Sequence, residues 1–144
     1  MLYDQGHYRK VLRSSNRLLR NSEHQQAILP NYYNSLAKLQ LFRNEKWRKR
    51  NSNALTEASK QFIEARNRDK DGKVFQAHIF EIQSLKRDYD YFIEELEQNK
   101  KTNTKLLAEV RKVYELLFGN VDDLQDTQKE IISEPLVANV TDLR

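Results

Sequence analysis

The sequence predicts an all-α chain of antiparallel helical hairpins, ending in a helix that caps the last of them. Three observations carry that prediction. Apolar residues recur at steps of three and four along most of the chain. Only three Gly and two Pro interrupt 144 residues, 32% of them charged. The interruptions are short and polar, as helix–helix turns are. The length suits one domain with a core of its own.

The opening stretch sets the pattern. Gly6 ends what precedes it, and Tyr8, Val11, Leu12, Ser15, Leu18 and Leu19 form one stripe of the next helix. Arg9, Lys10, Arg13, Arg17 and Arg20 face water on the other side. A glycine between helix-forming stretches is the pivot of a tight αα-hairpin. Asn21-Ser22-Glu23-His24 is turn-forming, and Pro30-Asn31 is a start signal. Tyr32, Tyr33, Leu36, Ala37, Leu39, Gln40 and Leu41 follow at helical spacing. Arg43 to Lys46 reads as the next turn, and Arg48 to Asn53 as an insertion.

Ala54, Leu55, Ala58, Phe62 and Ala65 define a further helix, capped by Asn51 or Ser52. Asn67 to Gly72 breaks it. Val74, Phe75, His78, Ile79, Ile82 and Leu85 predict the next helix, with a turn at Lys86-Arg87-Asp88-Tyr89. Tyr89, Phe92, Ile93 and Leu96 then predict its partner. Thr102, Asn103 or Thr104 caps a last helix, in which Leu106, Leu107, Val110, Val113, Tyr114, Leu117 and Phe118 form a wide apolar face. Gly119 ends that helix. Residues 120–144 read as an acidic tail or linker, helix-permitting around Val121, Leu124, Ile131 and Ile132 and extended after Pro135.

Gly6 with Tyr8, Tyr33 with Leu36 and Ala37, and the small–aromatic–small trio Ala58, Phe62, Ala65 resemble tetratricopeptide repeats. The resemblance covers residues 1–119 in degenerate form. The first unit lacks most of its first helix, the second carries the insertion, and Asp88 stands near the expected turn glycine of the third. It implies a right-handed stack of hairpins, an α-solenoid, with the last helix as cap. It also implies a scaffold whose concave face binds a peptide or partner protein. The corresponding outward positions are Asn34, Lys38 and Leu41 on one helix and Gln76, Phe80 and Gln83 on the next. The incomplete first unit leaves part of the Tyr8–Leu19 stripe uncovered. Upstream residues, another molecule or a second copy in a homodimer would cover it.

Net charge is +4 overall. Residues 120–144 hold six acids against Lys129 and Arg144, net −4, which leaves 23 bases and 15 acids, net +8, in residues 1–119. The densest basic run is Arg43, Lys46, Trp47, Arg48, Lys49 and Arg50. Bases around one indole suit a nucleic acid, phosphates on the charges and a base on the ring. A solvated surface with Trp47 packed inward is the favoured account. A further alternative is an accessory helical domain of a larger enzyme, such as one of a bacterial envelope, with catalysis beyond the tail.

Nothing points to chemistry within the chain, and no enzymatic activity, cofactor or metal is expected. Cysteine is absent, and the three histidines stand outside metal-ligand spacings. No serine lies in a nucleophile elbow, and isolated glycines build no phosphate loop. Asn67-x-Asp69-x-Asp71-Gly72 has the spacing of a calcium loop, yet His78 stands where the bidentate carboxylate belongs. It reads as a polar loop. No apolar run is long enough to span a membrane. Asn139-Val140-Thr141 is a glycosylation acceptor only in a eukaryotic secretory setting. The compartment stays open.

Overall fold

In the computed structural model, residues 3–99, 101 and 103–119 are described, and they are all-α. The helices are α1 (Tyr8–Leu19), α2 (Ile28–Phe42), α3 (Glu45–Arg50), α4 (Ala54–Arg68), α5 (Lys73–Ala77), α6 (Ile79–Gln98) and α7 (Thr104–Phe118). No strand occurs among the described residues. The expectations for the tail fall outside them.

The fold is built around α2. Tyr32, Leu36, Ala37 and Leu39 are wholly buried, and Asn31, Asn34, Ser35 and Gln40 are buried with them. A helix buried on its polar as well as its apolar positions must be surrounded. α1 and α4 pack most closely against it, while α6 reaches it through long side chains. Tyr32 Oη donates to Glu81 Oε1 at 3.2 Å and Tyr89 Oη to the Leu39 carbonyl at 2.6 Å. Gln40 Nε2 donates to Asp88 Oδ2 at 3.0 Å. Partners therefore advance in the same direction on both helices, so α2 and α6 run parallel. α7 folds back on α6 and also touches α4, with Arg111 paired to Glu97.

Local chemistry explains the helix ends. Gly6 takes φ 80, a left-handed conformation open to glycine, and closes a turn through its N–H to the Tyr3 carbonyl at 3.0 Å; no helix precedes it among the described residues. Pro30 lies in the first turn of α2, where its missing N–H breaks no helical bond. The Asn44 side chain accepts from Trp47 N and starts α3 inside the expected Arg43–Lys46 turn, from which it runs into the expected insertion. Asn51 does not cap α4; its Nδ2 donates to the Trp47 carbonyl and closes α3 instead. Asn103 caps α7 through Lys105 N. The polar 67–72 loop has a structural use: the buried Asp69 carboxylate accepts from Val74 N and Phe75 N at 3.2 and 2.8 Å, the free amides that open α5.

Two expected boundaries are wrong. The helix predicted to start at Val74 is broken at His78, whose φ of −112 separates α5 from α6. The turn predicted at Lys86–Tyr89 does not exist. Ile82, Leu85, Tyr89, Phe92 and Leu96 are all buried along one continuous stripe of α6. A run of polar residues without Gly or Pro cannot stop a helix whose apolar register continues through it. Arg87 is exposed, Asp88 binds Gln40 and Arg43, and Lys86 lies over the Tyr114 ring.

Candidate functional site

The outward surface expected from Asn34, Lys38, Leu41, Gln76, Phe80 and Gln83 does not form as one face. Asn34 is 1% exposed and Leu41 is also buried. Asn34 Nδ2 donates to Ser15 Oγ and Asn16 Oδ1 of α1, both at 2.8 Å. Lys38 Nζ reaches Gln61 Oε1 of α4 at 3.4 Å, and burial lowers its pKa. α6 meets the other side of α2, through Tyr32, Leu39 and Gln40. Asn34 and Lys38 thus point away from the helix that carries Phe80 and Gln83. Phe80 is 73% exposed, whereas Gln76 and Gln83 are half-buried.

The α3 basic run is largely engaged in structure. Arg43 donates to Gln40 Oε1 at 2.6 Å and faces Asp88. Arg48 donates to the carbonyls of Phe42 and Arg43, and its guanidinium lies 5.5 Å from the Phe92 ring centre. Trp47 packs on the core. Lys49 sits opposite Glu45. Only Lys46, Lys49 and Arg50 are fully exposed, too few to make this run the main basic surface.

A third cluster has the look of chemistry and the geometry of a lock. Glu81 accepts from both Tyr32 and Tyr33, and its Oε1 lies 2.9 Å from His78 Nδ1. Burial raises the pKa of Tyr32 and Tyr33, and the Glu81 charge adds to it. These groups bind one another across α2 and α6. No group of His, Asp or Glu able to hold a metal occurs among the described residues.

The most apolar of the open grooves lies between α1 and α2. It measures about 280 Å³ and is lined by Val11, Ser14 and Leu18 of α1, by Leu29, Pro30 and Tyr33 of α2, and by Tyr3 and Ser15. Its surface is almost wholly apolar. Leu18 and Leu29 stand 46% and 44% exposed at its edge. The stripe expected on α1 is therefore only partly covered: Val11 and Ser15 are buried, Tyr8 and Leu12 half-buried, and Leu18 open.

α1 also carries exposed bases, of which Lys10 and Arg17 stand nearest the floor. Arg9, Lys10, Arg13, Arg17 and Arg20 are exposed and form no ion pair with a described residue. Lys10 and Arg17 are helical neighbours of Ser14, which lines the groove. No acid occurs anywhere in α1. Sequence reasoning placed the basic surface on α3, where bases are densest. The better signal was the absence of acids from Tyr8 to Ser22.

No family model, curated protein or solved structure matches the chain.

Proposed function

We propose that this chain is a non-catalytic interaction module that binds a partner protein in the α1–α2 groove, and that its hairpins stack in the manner of tetratricopeptide units. In that scheme α1 is the second helix of a first unit, α2 and α4 form the second unit, and α6 and α7 form the third. Parallel α2 and α6, with α4 packed against α2, support the stacking. Their contacts join residues 48 to 50 apart, longer than a repeat of about 34, because α3 and α5 are inserted between them. The predicted concave partner face is not retained, since Asn34 and Leu41 are interior.

One observation carries the partner site: an apolar floor with exposed Leu18 and Leu29 is flanked on α1 by Lys10 and Arg17, which form no ion pair with a described residue. An amphipathic helix with an acidic edge matches both halves, its leucines filling the groove and its carboxylates facing Lys10 and Arg17. The same bases support a second reading, in which α1 holds the phosphates of a single-stranded nucleic acid.

Fluorescence anisotropy separates the two. The probes are a synthetic five-turn helix with leucines at three- and four-residue steps and glutamates on one edge, and a single-stranded oligouridylate. The helix should bind, and Leu18→Glu should weaken it by at least about tenfold, the loss of roughly 1.4 kcal/mol. Loss of all binding on adding salt, with no response to Leu18→Glu and with oligouridylate bound more tightly, would overturn the protein-partner reading.

A further inference from the structure

The chain segregates its charges onto two helix faces. From Tyr8 to Ser22 it holds five bases and no acid; from Asp88 to Asn99 it holds five acids and no base. At 3.6 residues per turn, Arg9, Lys10, Arg13, Arg17 and Arg20 share one arc of about 100° on α1. That arc lies opposite the buried Val11 and Ser15. On α6 the buried stripe of Ile82, Leu85, Tyr89, Phe92 and Leu96 leaves Tyr91, Glu94, Glu95 and Gln98 exposed on the opposite face. Arg87 bounds this acidic face on its N-terminal side.

Each charged face turns away from the side on which its helix is buried, so the two do not meet within one chain. The α1 bases form no ion pair with a described residue, and neither do Glu94 and Glu95. Glu94 accepts only from Gln98 Nε2, at 3.4 Å, among the described residues. The remaining acids are engaged internally: Asp88 by Gln40, Asp90 by Tyr114 and Glu97 by Arg111.

The exposed α6 face has the chemistry of an arginine receptor. Tyr91 stands 59% exposed beside the two free carboxylates. A guanidinium stacks on an aromatic ring and pairs with a carboxylate in a bidentate fork. Four of the five α1 bases are arginines. Spacing agrees as well: Arg9, Arg13 and Arg17 advance by four residues, about 6 Å a step along the axis. Tyr91 to Glu95 and Glu94 to Gln98 are the same step.

We infer that the arginine face of α1 in one copy docks on the Tyr91–Gln98 face of α6 in a second copy of this chain. The two faces differ, so the contact is head-to-tail and leaves one free face at each end for a further chain. Its charges are exposed, so it is salt-sensitive. The floor of the α1–α2 groove, at Val11 and Leu18, lies on another side of α1, and the inference does not depend on what that groove binds.

Sedimentation equilibrium on the full chain tests it. At low salt the average mass should rise with concentration past that of two chains, and high salt should return it to one. Glu94→Gln with Glu95→Gln neutralises one face; Arg9→Gln, Arg13→Gln and Arg17→Gln neutralise the other. Each variant should need at least about tenfold more protein to associate. Circular dichroism should match the parent's, because all five replaced residues are exposed. Mixed together, the two variants should form pairs and nothing larger, since each brings one intact face. Leu18→Glu, in the groove, should associate like the parent.

A parent chain that stays single at about 1 mM in low salt would overturn the inference. So would a neutralised variant that associates like the parent, or a mixture that stays single. A plateau at two chains would mean a two-fold contact instead, and loss of association in Leu18→Glu would move the contact into the groove; either result excludes the α1–α6 docking.

Discussion

Phe62 shows how single residues set this fold. It is 1% exposed, with its ring 5.2 Å from Phe75 and 6.4 Å from Tyr32, so it ties α4 to α2 and α5. Phe62→Ala should cost about 3–5 kcal/mol in a urea unfolding experiment. A loss below about 1 kcal/mol would mean that the aromatic cluster does not hold these helices together. The tyrosines make a second prediction at this scale. Burial raises the pKa of Tyr3, Tyr32, Tyr33 and Tyr89 above the ordinary 10.0. Above pH 10 the unfolded chain loses phenolic protons that the folded chain keeps. The stability they contribute is thus full below pH 10 and lost as pH rises toward the folded values. Lys38, with a lowered pKa, works in the opposite direction but is one group against four. Tyrosinate absorbance and circular dichroism should therefore change together in alkaline titration. Tyrosinate forming well before helix loss would contradict this account.

At the scale of elements, caps and breaks decide where helices stop. Asp69 is buried and accepts two amides at the start of α5. Asp69→Ala should cost about 1–2 kcal/mol, read by urea unfolding. Asp69→Asn should recover part of it, because an amide oxygen can still accept. Equal losses in both variants would mean that the charge, not the cap, matters. Much at this level was legible in sequence. Tyr8–Leu19, the helix after Pro30, Ala54 onward and Thr104–Phe118 follow from apolar spacing and punctuation. The turn wrongly expected at Lys86–Tyr89 came from weighting polarity above periodicity, for Leu85, Tyr89 and Phe92 already continued the stripe. The break at His78 was illegible because it has no Gly or Pro. It arises where α5 ends and His78 engages Glu81.

Across the whole molecule, sequence reasoning found helices and the partly covered stripe on α1 but read the buried Asn34 and Leu41 as outward-facing. The sides of α2 were the obstacle. Asn34, Lys38 and Gln40 look solvent-facing in a list of residues, yet each binds a different neighbouring helix. Polar residues on a surrounded helix are interior hydrogen-bond partners, and only the arrangement of α1, α4 and α6 reveals that. Arg43 and Arg48 are engaged by carbonyls, Asp88 and an aromatic ring, while the more thinly spread bases of α1 form no ion pair with a described residue.

The most direct test of the central claim is a nuclear magnetic resonance titration of the full chain with the acidic amphipathic helix, followed residue by residue. The α1–α2 site predicts shifts concentrated at Val11, Ser14, Leu18, Leu29 and Tyr33, with smaller ones at Lys10 and Arg17. Shifts confined to Phe80 and Gln83 on α6, or to Lys46 and Arg50 on α3, would contradict it.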